Sequence, residues 1–202
     1  MDRHTRFLAS RRQFLRSWGL VPLALASSSA VLPGWTRAAP TPECGDDDHP
    51  TPRQMEGPFF KPRTPRRSSL LEPGIDGTRL VLTGLVLSTA CRPVVGALLD
   101  FWQADGHGDY DNQGFRLRGH QFSDGDGRYR LETIVPGLYP GRTRHIHVRV
   151  QAPNRPVLAT QLYFPGTAQN EDDFLFRADL LMKIRDADGA RDGRFDFVLR
   201  LA

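Results

Sequence analysis

The segment Tyr139-Pro-Gly-Arg-Thr-Arg-His-Ile-His-Val-Arg-Val-Gln151 decides how this chain folds. Side chains alternate between the two faces of a β-strand. One face of the second half of this segment carries imidazoles and a cation: His145, His147 and Arg149. The other face is apolar: Ile146, Val148 and Val150. The pattern predicts a strand that packs one face into a core and presents two neighbouring imidazoles on the other, where a metal such as Zn, Cu, Fe or Ni can bridge them. A pair of hydrogen-bonded histidines is the simpler alternative.

Further segments have the length and alternation of strands: Arg79–Ser88, Gly96–Gln103, Tyr129–Ile134, Val157–Phe164 and Phe195–Leu201. Short strands separated by Gly, Pro and Asp turns predict an all-β fold, a β-sandwich with Greek-key-like connections. The segment 171–187 has apolar residues at helical spacing, and it could form a short helix or an irregular loop.

Composition divides the chain into three parts. Residues 1–38 carry six Arg against one acidic residue, and they contain the twin-arginine pattern Ser10-Arg-Arg-Gln-Phe-Leu15 before an apolar stretch. This is typical of an export signal and predicts a periplasmic protein. The apolar stretch is shorter than the roughly 20 residues of a membrane span, so the mature form should have no stable span; a retained N-terminal membrane anchor is the alternative. Residues 39–77, rich in Pro and Gly, predict an irregular N-terminal arm, and residues 78–202 form the β-sandwich domain.

The net charge of +4 arises from the leader. Residues 1–38 have a net charge of +5, which leaves −1 for residues 39–202. A nearly neutral domain gives no support for nucleic-acid binding. The two cysteines, Cys44 and Cys91, fall in the exported part, where a disulfide between them would persist; two free thiols are the alternative.

Two tyrosines lie in loops beside the strands. Tyr110 follows the second predicted strand and Tyr139 precedes the histidine strand. Each could be a packed aromatic residue. A phenol, with a pKa of about 10, binds a metal only when a strong Lewis acid removes its proton. Fe(III) is such an acid, so two tyrosines with two histidines favour Fe(III) over Zn or Fe(II).

With these tyrosines and histidines, the sequence resembles the intradiol ring-cleavage dioxygenases, the family of the catechol and protocatechuate dioxygenases. The matching stretches run across most of residues 51–165: Thr51–Phe60, Trp102–Tyr110, Phe115–Gly119, Thr133–Gly137, Tyr139–His147 and Thr160–Tyr163. The resemblance implies that the ferric ligands are Tyr110, Tyr139, His145 and His147. It places Arg142 over the substrate side of the iron and Gln161 close by. The helical dimerisation segment of catechol dioxygenases has no match here, although a homo-oligomer is compatible with the sequence.

The resemblance implies a catalytic β-sandwich that cleaves a small aromatic diol with O2 between its two hydroxyl carbons, giving a cis,cis-muconate-type diacid. Tyr139 would leave the metal and act as a base, and Arg142 would stabilise negative charge building on the ring. No organic cofactor is implied. Three other functions compete: a transthyretin-like binding module without catalysis, a calcium site in the Asp-Gly loops around Asp109 and Asp124, and a zinc hydrolase. The last lacks a His-Glu-x-x-His helix.

Overall fold

The structure, a computed structural model, describes residues 49–201. The predicted export signal, the first part of the arm and Cys44 lie outside these residues. Cys91 is disulfide-bonded. No helix within residues 49–201 is long and apolar enough to cross a membrane.

Within residues 49–201 the chain forms nine strands, which are β1 Arg79–Ser88, β2 Leu98–Trp102, β3 Arg118–Phe122, β4 Arg128–Ile134, β5 His145–Gln151, β6 Leu158–Tyr163, β7 Lys183–Ala187, β8 Ala190–Arg194 and β9 Phe197–Leu199. One sheet has the order β4-β1-β8-β7, with β9 also pairing to β1, and the other has the order β3-β2-β5-β6. Neighbours such as β1 with β4 and β2 with β5 are not consecutive in the chain, because it crosses repeatedly between the sheets. The predicted β-sandwich with Greek-key-like connections is therefore confirmed.

The core lies between the two sheets. β5 contributes Ile146, Val148 and Val150, each with no exposed surface, as its alternation predicts. β1 lies in the middle of its sheet and contributes Leu82 and Val86. Its other face is buried at Leu85 and Leu87 but exposed at Thr83, so both faces are buried only in the second half of the strand. Its bounds and those of β5 are the predicted ones.

The arm covers the outer face of the second sheet. Residues 49–78 contain no regular strand, yet their backbone bonds to β9, β6 and β3: Thr51 N–H donates to Val198 O at 2.9 Å, Gln54 N–H to Ala159 O at 2.8 Å and Arg67 N–H to His120 O at 2.9 Å. This cover places the histidine face of β5 in the interior, since His145 and His147 are 4% and 3% exposed.

The proposed helix at 171–187 is wrong. This stretch contains one 3-10 turn, Ala178–Leu180, and then the strand β7. Leu180 and Met182 are buried two residues apart, which is strand spacing, while Phe174 is 85% exposed. The turn after β7 is Asp188-Gly189, and both residues have positive φ (24° and 78°), as a two-residue hairpin turn requires.

Three strands were not predicted. β3 reads Arg-Gly-His-Gln-Phe and is polar, because the arm rather than the core covers one of its faces. β7 and β8 consist largely of exposed or half-buried residues and carry several charges, so they lack the apolar alternation that predicts a strand.

Gly84 tests how closely β1 is packed. A Cβ on Gly84 would lie 1.8 Å from Phe195 O and 3.0 Å from the Tyr129 ring. We expect Gly84→Ala to lower the free energy of unfolding by about 1–3 kcal/mol or more, because a backbone carbonyl must move. Chemical denaturation measures this. Gly125→Ala is the matched control, since nothing lies within 4 Å of its added Cβ. An equal loss in both variants would contradict the close approach of Phe195 O to Gly84.

Candidate active site

The predicted metal ligands His145, His147 and Tyr110 lie in direct contact. The Nε2 atoms of the two histidines are 3.2 Å apart, and Tyr110 OH lies 3.2 Å from His145 Nε2. His145 Nδ1 donates to Thr143 O at 2.7 Å, so Nε2 carries the lone pair of this ring. The β-strand alternation and the loop after β2 thus bring two imidazole nitrogens and one phenol oxygen to one point.

Tyr139 joins this group through its ring. Its centroid lies 5.8 Å from that of Tyr110, with the planes at 74°. Phe59 of the arm contacts both, stacking on Tyr110 at 4.4 Å and meeting Tyr139 edge-on at 5.5 Å. The arm therefore packs one aromatic ring against both candidate phenol ligands.

Burial controls the protonation of these groups. Burial lowers the pKa of His145 to about 4, and burial, with His145 as the next contribution, lowers the pKa of His147 well below its usual value. Both imidazoles are therefore neutral at pH 7, the form that binds metal ions. Burial raises the pKa of Tyr110, while the cations Arg142 and Arg118 act in the opposite direction.

Trp102 shields the site from the side of β2. Its indole stacks on the His147 ring, with centroids 4.9 Å apart and planes 5° from parallel. Phe60 of the arm packs against Trp102 at 5.2 Å. The indole, supported by Phe60, limits the motion of His147 and excludes water from one face of its ring.

Arg142 and Gln161 are also brought together, as the resemblance implies. Arg142 Nη2 donates to Gln161 Oε1 at 2.6 Å, and Gln161 Nε2 donates to Met55 O at 3.0 Å. Arg142 lies three residues before His145 in the chain, in the loop that enters β5. The two residues form one hydrogen-bonded unit beside the candidate metal site.

A group that combines two neutral imidazoles with a contacting phenol fits a ferric ion. The donors are the nitrogen and oxygen types such an ion accepts, and the two Nε2 atoms face each other at 3.2 Å. His147 Nδ1 is buried without a hydrogen-bond partner among residues 49–201. Its Nε2, which faces His145 Nε2, is the atom directed into the site.

Three residues of the site were not predicted in their roles. Arg118 is fully buried and donates to the carbonyls of Phe59 and Asp111, which links the arm to the Tyr110 loop. Phe59 lies within the matching stretch Thr51–Phe60, but its sequence indicates no particular role. Asp173 accepts from Arg142 and lies in a loop where no sequence pattern indicated a role.

Within residues 49–201 no three His, Cys, Asp or Glu side chains are grouped as the calcium and zinc alternatives would require. The Asp-Gly loops have a simpler explanation. Asp105 accepts from the backbone N–H of Asp109, and Asp124 accepts from that of Arg128. These carboxylates cap turns.

Comparison with known proteins agrees with this geometry. The model of the Dioxygenase family matches residues 55–201. A solved structure of the dioxygenase domain of a dioxygenase carbohydrate-binding protein fusion from Streptomyces sp. SirexAA-E is 59% identical, covers 76% of this chain and 100% of that one, and superposes with a TM-score of 0.75.

Two curated relatives are more distant. A catechol 1,2-dioxygenase of a Pseudomonas species is 29% identical over 64% of this chain. The protocatechuate 3,4-dioxygenase beta chain of Burkholderia cepacia is 33% identical over 61% of it. The matches span 53% and 65% of these relatives' lengths. The family match covers well over half of the chain and coincides with the part that builds the site. The chain therefore belongs to the intradiol ring-cleavage dioxygenase family.

Proposed function

We propose that this protein is a non-haem Fe(III)-dependent intradiol dioxygenase. It cleaves the ring of a catechol-type substrate between the two hydroxyl-bearing carbons and incorporates both atoms of O2, giving a cis,cis-muconate-type diacid. The observation that carries the proposal is the meeting of Tyr110 OH with His145 Nε2 at 3.2 Å, with His147 Nε2 at the same distance from His145. Tyr139 completes the proposed ligand set.

The metal supplies one part of this chemistry. When bound, Fe(III) would lower the pKa of the substrate hydroxyls and activate the diol toward O2. The remaining steps belong to the chain. Tyr139 is half-buried beside Tyr110, and the phenolate that it would become as a ferric ligand would take up a substrate proton on leaving the metal. The guanidinium of Arg142 faces the negative charge that develops on the ring, while Trp102 and Phe59 keep water away.

The substrate class follows from what the relatives share. Those named above act, by their names, on catechol and protocatechuate, and a 32% identical relative from Cupriavidus pinatubonensis is a 6-chlorohydroxyquinol 1,2-dioxygenase. These compounds have two adjacent ring hydroxyls in common. We therefore propose a small aromatic vicinal diol, used in the breakdown of aromatic compounds, as the substrate.

The ligand set predicts the colour of the iron-loaded protein. Phenolate bound to Fe(III) gives a broad visible absorption band, so the purified protein should be red, and adding catechol without O2 should shift the band to longer wavelength. Tyr110→Phe and Tyr139→Phe should each weaken the band. His145→Ala or His147→Ala should lose most of the metal, because each removes one of four ligands. Absorption spectra and metal analysis measure these changes.

Matched controls come from residues of the same type outside the site. Tyr129 is buried in the core and donates to Phe195 O, so Tyr129→Phe should keep the band. His120 bonds to Thr64, so His120→Ala should keep the iron. A wild-type protein that stays colourless after ferric loading would contradict the proposal, and the non-catalytic binding module would then be favoured.

Arg142 should matter for turnover rather than for metal binding. Arg142→Ala should keep the iron and lower kcat about 100- to 1,000-fold, because a cation aimed at developing charge is removed from a buried site. Steady-state kinetics with catechol and metal analysis test this. Arg177→Ala is the control, since that arginine is half exposed and pairs with Asp179 on the surface. Equal losses in both variants would contradict the role of Arg142.

We also propose export through the twin-arginine pathway. Replacing Arg11 and Arg12 by lysine should abolish the periplasmic pool, because a receptor recognises this pair. Cell fractionation of both forms measures the distribution. An unchanged periplasmic fraction would contradict this route.

A further inference from the structure

The loop between β6 and β7 contains one buried carboxylate that bonds to three donors. The side chain of Asp173 is 1% exposed. Arg142 Nε lies 3.0 Å from Oδ1 and 2.9 Å from Oδ2 of Asp173. Thr143 N–H donates to Oδ2 and Leu175 N–H donates to Oδ1, each at 2.9 Å. A charged group this deeply buried is stable only when its oxygens are fully bonded, as they are here.

Two of these three donors belong to Arg142 and to the peptide that follows it. The carboxylate holds Arg142 by its guanidinium and also by the Arg142–Thr143 peptide, whose N–H it accepts. Asn170 adds a third attachment, since Thr143 Oγ1 donates to its side-chain oxygen at 2.6 Å. The loop thus fixes both the base and the tip of the arginine side chain.

The direction of the guanidinium is set by these contacts. Asp173 takes Nε, while Gln161 and Tyr163 accept from Nη2 at 2.6 and 3.4 Å. Tyr163 OH in turn donates to Leu175 O at 2.8 Å, on the same loop as Asp173. With Nε and Nη2 engaged by described residues, Nη1 is the nitrogen that remains to face a ligand.

We propose that Asp173 is a positioning residue that orients Arg142 for its action on the substrate. Asp173 itself touches neither the candidate metal ligands nor the reacting atoms. Arg142 without this anchor would be a flexible side chain with several rotamers, and the electrostatic stabilisation it provides would depend on rare arrangements. The kinetic part of the proposal rests on the function proposed above for Arg142, whereas the anchoring itself does not.

Asp173→Asn is a sharp probe of this role. The amide keeps the size of the side chain, but each oxygen of Asp173 receives a backbone N–H, one from Thr143 and one from Leu175. Whichever way the amide is turned, its NH2 group therefore opposes a donor. The charge that attracts Arg142 Nε is lost as well. Asp179→Asn is the control, because that carboxylate is half exposed and bonds to Arg177 on the surface.

The anchoring is measured on the metal-free full chain by 1H–15N NMR. In the wild type, the Arg142 Nε–H signal should exchange slowly with solvent, because it is bonded to a buried carboxylate. In Asp173→Asn this signal should shift and exchange fast, with no such change in Asp179→Asn. An unchanged Arg142 signal in Asp173→Asn would overturn the proposal, whatever the activity of the enzyme.

The kinetic consequence is measured on the ferric holoenzyme with a double-mutant cycle. Asp173→Asn should keep the iron and the visible band and lower kcat about 10- to 100-fold, the usual effect of removing a residue that orients an active-site group. The same change in the Arg142→Ala background should lower kcat by less than about 2-fold, since there is no arginine left to orient. A full loss in both backgrounds, or loss of the band, would overturn the proposal.

Arg142→Lys covers the case in which Asp173→Asn fails to fold. Lysine keeps the charge but has no Nε–H to be held by Asp173. It should therefore retain the fold by thermal unfolding and lose kcat as strongly as expected for Asp173→Asn, and wild-type turnover in this variant would overturn the proposal. If the wild type cleaves no diol but the NMR change occurs, the anchoring stands and the proposed function fails.

Discussion

The strand β5 must bury both of its faces, and the rest of the site depends on this constraint. Its apolar face packs into the core through Ile146, Val148 and Val150, which have no exposed surface. Its other face carries His145 and His147, which would be open to water in a bare two-sheet sandwich. The irregular arm closes over that face, so that the two imidazoles are only 4% and 3% exposed. A single alternating sequence thus specifies a hydrophobic layer and a dry polar site on its two sides.

Burial of a polar face requires that its donors and acceptors find partners. The arm and the β6–β7 loop provide them largely through backbone atoms: Met55 O accepts from Gln161, and Leu175 O accepts from Tyr163. Backbone partners do not depend on which side chain the arm carries at that position. This explains how a segment without regular secondary structure can hold a site in place, and why its composition reveals little about its role.

Features that depend on one short segment could be predicted from the sequence, whereas features that depend on contacts between distant segments could not. The strand β5 and the pair His145 and His147 are local, since period-2 alternation and the spacing of two residues are visible within one segment. Tyr110 and Tyr139 lie in separate loops, and they were assigned as ligands by the family resemblance; phenol chemistry indicated only that such ligands favour Fe(III). β3 could not be predicted, since the arm covers its polar face. The Asp188-Gly189 turn was the available signal for the hairpin β7–β8, and the helical spacing around Leu180 and Leu181 obscured it.

Asp173 is the site residue whose role is least visible in its local sequence. Its carboxylate meets Arg142 across 31 positions of chain, and nothing in the composition of its surroundings separates it from Asp172, which is exposed. The difference is that Asp173 lies where three segments of the chain meet: the loop before β5, the end of β6 and the loop after it. The side chain that lies where these segments meet must be an anion, because a guanidinium and two N–H groups already point there. The requirement for a negative charge at position 173 thus comes from the tertiary contacts of this residue and cannot be read from its neighbours in sequence.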